Sequence, residues 1–94
     1  MYNESVNFVW HESKRRANLK KHGFDFAGVQ QVFAGPTLTV EDTRNYAGEQ
    51  RFNTTGFLGT RIVTICHAES ADEIRIISMR KADLHEIETL SRYI

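Results

Sequence analysis

One cysteine, one proline and one tryptophan occur among the 94 residues, and twelve Lys and Arg cancel twelve Asp and Glu. Each scarcity excludes something. A single thiol, Cys66, cannot build a disulfide framework, so packing and hydrogen bonds must hold the fold. A reducing cytoplasm is the simplest compartment for such a chain. No apolar run approaches the ~20 residues of a membrane-spanning helix. The opening Met1-Tyr2-Asn3-Glu4-Ser5 lacks the basic start and apolar stretch of a secretory leader. Zero net charge argues against indiscriminate coating of nucleic acid, which leans on many phosphate contacts, but leaves room for a local site.

The chemistry-bearing motifs are also few. There is no P-loop, dinucleotide glycine pattern or Ser-His-Asp arrangement. The histidines, His11, His22, His67 and His85, have no zinc-finger spacing. Cys66 and His67 are neighbours on an apolar strand and face opposite ways, so they do not share a metal. No metal site and no cofactor are expected.

What is present reads as one domain covering residues 1–94. A chain this short buries only about 60–65% of its unfolded surface, which suits one sheet and a few helices. Val6, Phe8 and Trp10 alternate with Asn7, Val9 and His11 as a short strand. Glu12 to Lys21 predicts a helix with Ser13 as N-cap and Gly23 as its stop. Asp25 caps a second helix, Phe26 to Phe33, whose Phe26, Val29, Val32 and Phe33 form a buried face. Gly35-Pro36 ends it. Strands then follow at Thr37–Glu41, Arg51–Phe57, Arg61–His67 and Ile74–Arg80, joined by short polar turns. Short connections imply an antiparallel meander. Asp83 with Glu86 predicts a capping box on a final helix. The order strand, two helices, four strands, helix points to an α+β fold.

The cations are the most informative part. Eight of the twelve basic residues are Arg, whose planar fork matches phosphate oxygens. Arg61, Arg75 and Arg80 sit at or inside apolar strands, where a guanidinium must reach a carboxylate, the surface or an anion. Strict alternation puts Arg61 with Val63 and Ile65, puts Arg80 with Ile74 and Ile76, and turns Arg75 the other way. Arg61 opens one strand and Arg80 closes the next, so pairing is expected to bring the two guanidiniums to one phosphate. The plain alternative for each arginine is a salt bridge to Glu41, Asp42 or Glu49. Lys14, Arg15, Arg16, Lys20 and Lys21 spread around the first helix, either as a solvated face or as a surface for RNA or an acidic partner. Glu49 and Arg51, two apart, share a side, so Glu49 orients a guanidinium or accepts a proton. His22, at the helix end, is a capping-region residue or a general acid. Cys66 reads as a small core residue.

In this order and spacing the chain resembles the BrnT-type toxins. The resemblance rests on Phe8-Val9-Trp10-His11-Glu12-Ser13-Lys14, Asn18, Lys21-His22-Gly23 with Phe26, and Val32-Phe33. It continues through Gly48-Glu49-Gln50-Arg51, Gly56 with Gly59-Thr60-Arg61, and Ile74-Arg75-Ile76-Ile77-Ser78-Met79-Arg80-Lys81-Ala82. It runs from Phe8 to Tyr93. The family's acid after Trp-x appears as Glu12, and Met79 stands where many relatives have Ala.

The resemblance implies a RelE-like fold and a ribonuclease toxin of a type II toxin–antitoxin system. It implies a BrnA-type antitoxin that binds operator DNA on the complex's behalf, hence a hetero-oligomer, and no membrane. Carried over, its charged motif positions are Lys14, His22, Glu49, Arg51, Arg61 and Arg80. RNA cleavage by the 2′-hydroxyl needs a base, a proton donor and cations for developing charge, and no metal. The expected catalytic set is therefore Arg61, Arg80, Lys14, Glu49 and His22, with Arg51, Lys20 and Lys21 holding RNA. The other class in view is a non-catalytic module whose arginines grip an acidic protein.

Overall fold

The computed structural model describes residues 6–94. The leader reading of Met1 to Ser5 lies outside the described residues. The elements are β1 (Asn7–Val9), α1 (Glu12–His22), a 3₁₀ turn (Phe26–Gly28), α2 (Val29–Ala34), β2 (Thr37–Asp42), β3 (Arg51–Leu58), β4 (Arg61–Glu69), β5 (Glu73–Lys81) and α3 (Leu84–Ser91). Among the described residues this is an α+β fold of three helices and a five-stranded mixed sheet, ordered β1-β5-β4-β3-β2. β1 pairs parallel to β5, while β2 to β5 pair antiparallel in sequence order.

Two helix boundaries differ from the sequence reading. α1 begins at Glu12, with His11 rather than Ser13 at the N-cap. The carboxylate of Glu12 is gripped by Arg15 one turn on (2.8 to 3.1 Å), and an acid in the first turn also suits the helix dipole. The expected helix Phe26 to Phe33 splits into the 3₁₀ turn and α2, and the Asp25 side chain accepts from the Ala27 N–H. Gly23 does stop α1, in the left-handed region at φ 78°, with its N–H on Leu19 O. The capping box forms as read: Asp83 accepts from the Glu86 N–H, and Glu86 accepts from the Asp83 N–H.

One sheet face meets the 3₁₀ turn and α2 to make the core. Val63, Ile65, Ile74, Ile76 and Met79 pack on Phe24, Phe26, Val29, Val32 and Phe33. The approach of α2 is close at Gly56, where a Cβ would come within 2.9 Å of both Val32 Cγ1 and Thr37 Cγ2. Both neighbours are β-branched and stiff, so this site takes only glycine.

The sheet register carries one irregularity. Cys66 pairs with Ser78, but His67 pairs with Ile76, which leaves Ile77 as an extra residue in β5. A bulge of this kind resets which face each later side chain takes. Ile74, Ile76 and Met79 thus all reach the core, although their spacing breaks strict alternation.

α1 has no apolar stripe, and Asn18 is its one buried residue. Its attachment is a set of hydrogen bonds. Asn18 Nδ2 donates to Met79 O and Phe24 O at 2.9 Å each, and Met79 N–H donates to Asn18 Oδ1 at 3.0 Å. β1 pairs with β5 only as far as Arg75. Beyond that point the Asn18 carboxamide takes the place of a strand at the β5 edge. Removing it leaves buried backbone groups unpaired, at a cost of about 1–3 kcal/mol each. Asn18→Ala is therefore expected to lose on the order of 3 kcal/mol in urea unfolding, far above a typical surface substitution.

His67 is fully buried between Phe33 and Phe52. Its Nε2 pairs with Thr54 Oγ1 at 2.7 Å, and Thr54 pairs in turn with Thr39. Nδ1 has no hydrogen bond, and Glu69 Oε2 lies 3.4 Å away. Burial pulls the imidazole from 6.5 down to about 4, so the ring is neutral at physiological pH and the Glu69 contact is no ion pair there. Because the folded value is depressed, this stability is complete above about pH 6.5 and is lost as pH falls toward 4. The unfolded chain takes up a proton that the folded ring refuses. The loss from this residue is roughly 1.5 kcal/mol between about pH 6.5 and about pH 5, where most carboxylates still carry charge. Thermal melts across that window should show a slope that flattens in His67→Gln.

Candidate functional site

The face opposite the core is built from Arg51 and Asn53 on β3, Cys66 and Ala68 on β4, and Arg75, Ser78 and Arg80 on β5. Cross-strand pairing sets them in rows. Thr55, Thr64 and Arg80 form one row, and Asn53, Cys66 and Ser78 the next. Ala68 with Arg75 forms a third, which Arg51 joins one step beyond the Phe52–His67 pair. The first and third rows are four residues apart along β4, so arginines stand at both ends of a strip about 13 Å long. α3 packs against β3 and borders the Arg80 end. Between it and the sheet lies a cleft of about 180 Å³ lined by Leu38, Val40, Asn53, Thr55, His85, Glu86 and Thr89.

Each guanidinium on this face is held by an internal carboxylate. Glu49 takes Arg51 Nε at 3.0 Å with one oxygen and Arg75 Nη2 with the other. Glu86 takes Arg80 through two bonds of 2.8 and 2.9 Å. Arg75, and then Arg51, hold the Glu49 carboxyl below its ordinary range. Burial pushes Glu86 up, but Arg80, the Asp83 N–H and Thr64 together pull it below its ordinary range. Both acids are therefore ionised at neutral pH. The Glu86 bonds raise Arg80 further above its already high value.

The connection from β2 to β3 supplies a second polar hub. The Asp42 side chain is only 6% exposed and accepts from Arg44 Nη2 (2.6 Å), Arg44 Nε (3.0 Å) and Tyr46 Oη (2.7 Å). Arg44 above all holds Asp42 far below the carboxylate range. The Tyr46 ring lies under Arg51, with the guanidinium carbon 4.1 Å from its centroid. Cys66 forms the floor. Burial pushes its thiol up, while the charges of Arg51, Arg44 and Arg80 pull the other way.

Residues 10–86 match the family model described as ribonuclease toxin, BrnT, of type II toxin–antitoxin system. The chain belongs to the BrnT family. No curated protein matches it by sequence. BrnT toxins are ribonuclease toxins that work with an antitoxin, so the arginine face and α1 are the surfaces on which to look for RNA and partner.

The fold of this BrnT chain brings together only part of the residue set read from the sequence. Arg51, Glu49 and Arg80 share the open face, and Arg75 joins them. Arg75 was expected to point away from Arg80, but the extra residue Ile77 reverses the alternation between the two. Arg61 and Arg80 do not flank one phosphate. Arg80 sits opposite Thr64, three residues from Arg61, and an odd offset places the two arginines on opposite faces. Arg61 lies instead over the buried Phe24 ring, 4.8 Å from its centroid, on the core side. Lys14, Lys20, Lys21 and His22 ride on α1, which packs along β5 with Asn18 against the backbone of Met79, and none of them joins the cross-strand rows of the arginine strip. Cys66 is half-buried on the open face, not in the core as first read. Among the described residues no cluster of His, Cys, Asp and Glu is arranged to hold a metal ion.

Asp42, Tyr46 and Glu86 escaped the sequence reading as site residues. The sequence marks them only in part: Asp42 stands there as a salt-bridge partner and Glu86 as a cap. The convergence of Arg51 and Arg80 on Cys66 has a direct readout. The pH at which Cys66 becomes reactive to iodoacetamide should lie above that of a free cysteine. It should rise further in Arg51→Ala and in Arg80→Ala, because each variant removes a charge that favours the thiolate.

Proposed function

We propose that this BrnT chain is a metal-independent endoribonuclease that binds the scissile phosphate on the strip between Arg51, Arg75 and Arg80. The reading is supported by three guanidiniums that line one sheet face and are already held by two carboxylates. A phosphate entering the strip binds the free terminal nitrogens of Arg51 and takes the place of Glu49 on Arg75. Glu49, released from Arg75, regains basicity and takes the proton of the ribose 2′-hydroxyl. The 2′-oxygen forms a bond to phosphorus, and the bond from phosphorus to the 5′-oxygen breaks. The 5′-oxygen takes a proton from solvent, which leaves a 2′,3′-cyclic phosphate and a 5′-hydroxyl. The arginines stabilise charge that grows on the phosphoryl oxygens, the largest contribution in reactions of this type.

Arg61, with Lys14, Lys20 and Lys21, then serves RNA beyond the reacting phosphate, and His22 takes no part in proton transfer from its place on α1. The wider reading is a RelE-like toxin acting in the cytoplasm, which arrests growth until a BrnA-type antitoxin binds it. That antitoxin brings the complex to operator DNA. An acidic segment would suit the same arginines, because Glu49 and Glu86 already occupy them, so a non-catalytic grip on a protein is the other reading.

Cleavage of RNA by the purified chain separates the two. It should persist in EDTA, and restoration by a divalent ion after loss in EDTA would remove the metal-free route. Arg51→Ala and Arg80→Ala should each lose on the order of 10²–10³ in rate while melting as folded proteins. Arg61→Ala should weaken RNA binding without that loss. Full cleavage by folded Arg51→Ala and Arg80→Ala would overturn the site, and loss confined to Arg61→Ala would move it to the α1 side.

A further inference from the structure

The loop between β2 and β3 takes its shape from a turn at Asn45. Asn45 Oδ1 accepts from the Ala47 N–H at 3.0 Å, and Ala47 and Gly48 follow in the left-handed region at φ 58° and 84°. Left-handed backbone at a residue with a Cβ costs energy and persists only where its surroundings demand it. The effect of this turn is to fold Tyr46 and Glu49 onto the same guanidinium. The Tyr46 ring supports the face of Arg51, and Glu49 holds its Nε edge at 3.0 Å. The ring is itself fixed by its hydroxyl, which donates to Asp42 at 2.7 Å, and Asp42 is nearly buried and locked by Arg44. Among the described residues, the two terminal nitrogens of Arg51 have no hydrogen-bond partner. The guanidinium is thus constrained on one face and one edge, with its fork left open.

We propose that Tyr46 is a positioning residue for the reaction: through its ring it aims the free fork of Arg51 at the scissile phosphate. The proposal rests on the arginine-strip reading above and adds to it the element that sets the geometry. A fork held in place before substrate arrives loses less freedom when phosphate binds, and its charge is aligned with the transition state at no further cost. The attraction comes from the aromatic face, because a cation above a ring is attracted by the ring's quadrupole, and the hydroxyl adds only the tether of the ring to Asp42.

The test is a double-mutant cycle on RNA cleavage by the full chain, with thermal melting to check each fold. Tyr46→Leu should lower kcat about tenfold with a smaller effect on KM, the loss expected for one cation–ring contact. Tyr46→Phe, which keeps the face, should recover most of that loss. In an Arg51→Ala background, Tyr46→Leu should cause no further loss, because its effect passes through Arg51. Tyr46→Met, without a ring, takes its place if Tyr46→Leu fails to fold. Loss in Arg51→Ala with unchanged cleavage in Tyr46→Leu would overturn the proposal alone, as would losses that multiply in the double variant or a Tyr46→Phe as slow as Tyr46→Leu. Full cleavage by folded Arg51→Ala would overturn the arginine-strip reading and the proposal together.

Discussion

The extra residue Ile77 in β5 is the constraint on which the two faces of this molecule depend. Without it, a strand reading Ile-Arg-Ile-Ile-Ser-Met-Arg would put Arg75 and Met79 on one side and Arg80 with Ile74 and Ile76 on the other. Either choice would bury a guanidinium in the core or expose core side chains, and a buried unpaired charge is among the costliest defects a small domain can carry. The register shift between Cys66 and His67 removes the conflict. Ile74, Ile76 and Met79 all reach the helices, and Arg75, Ser78 and Arg80 all reach the open face.

Beyond the bulge, β5 needs support at its edge, because β1 pairs with it for only three residues. Asn18 provides that support. Its carboxamide offers Met79 one donor and one acceptor, as a neighbouring strand would. This explains why α1 can dispense with an apolar stripe: the helix is fastened by hydrogen bonds through one buried amide and leaves its cations in solvent. The Arg15 bridge to Asp25 (2.9 Å) adds a contact at the turn that follows α1. Arg15 and Asp25 are both surface groups, so that bridge matters for geometry more than for stability.

The electrostatics of the open face follow from the partial cancellation of its charge. Glu49 and Glu86 cancel charge on arginines that would otherwise repel one another along the strip. The same carboxylates hold the guanidiniums by hydrogen bonds, in the place where a phosphate or another carboxylate would bind. Binding on this face is accordingly an exchange of anions at Arg75 and Arg80, with the fork of Arg51 already open. A neutral chain can hold a specific phosphate site in this way without attracting nucleic acid everywhere.

The elements and the core were legible in the sequence because they are written in local periodicity. Phe26, Val29, Val32 and Phe33 have helical spacing and are all buried, and the Asp83–Glu86 cap is a local motif that forms as read. The BrnT motifs also lie in order along the chain, so the family could be recognised before the fold was known. The site was legible only in its residue types. Strict alternation failed at Ile77, whose break with the pattern is visible only as two adjacent isoleucines. It therefore joined Arg61 to Arg80 and parted Arg75 from both. Partners far apart in sequence were hidden where no opposite charge announced them: Asn18 meets Met79 unannounced, whereas Glu49 on Arg75 is one of the salt bridges open to that arginine from the sequence. The chain by itself determined which segments are helix and strand and which cations exist to be used. Register and packing between distant strands decided which of those cations share a face, because a single extra residue in a pairing reverses every side chain beyond it.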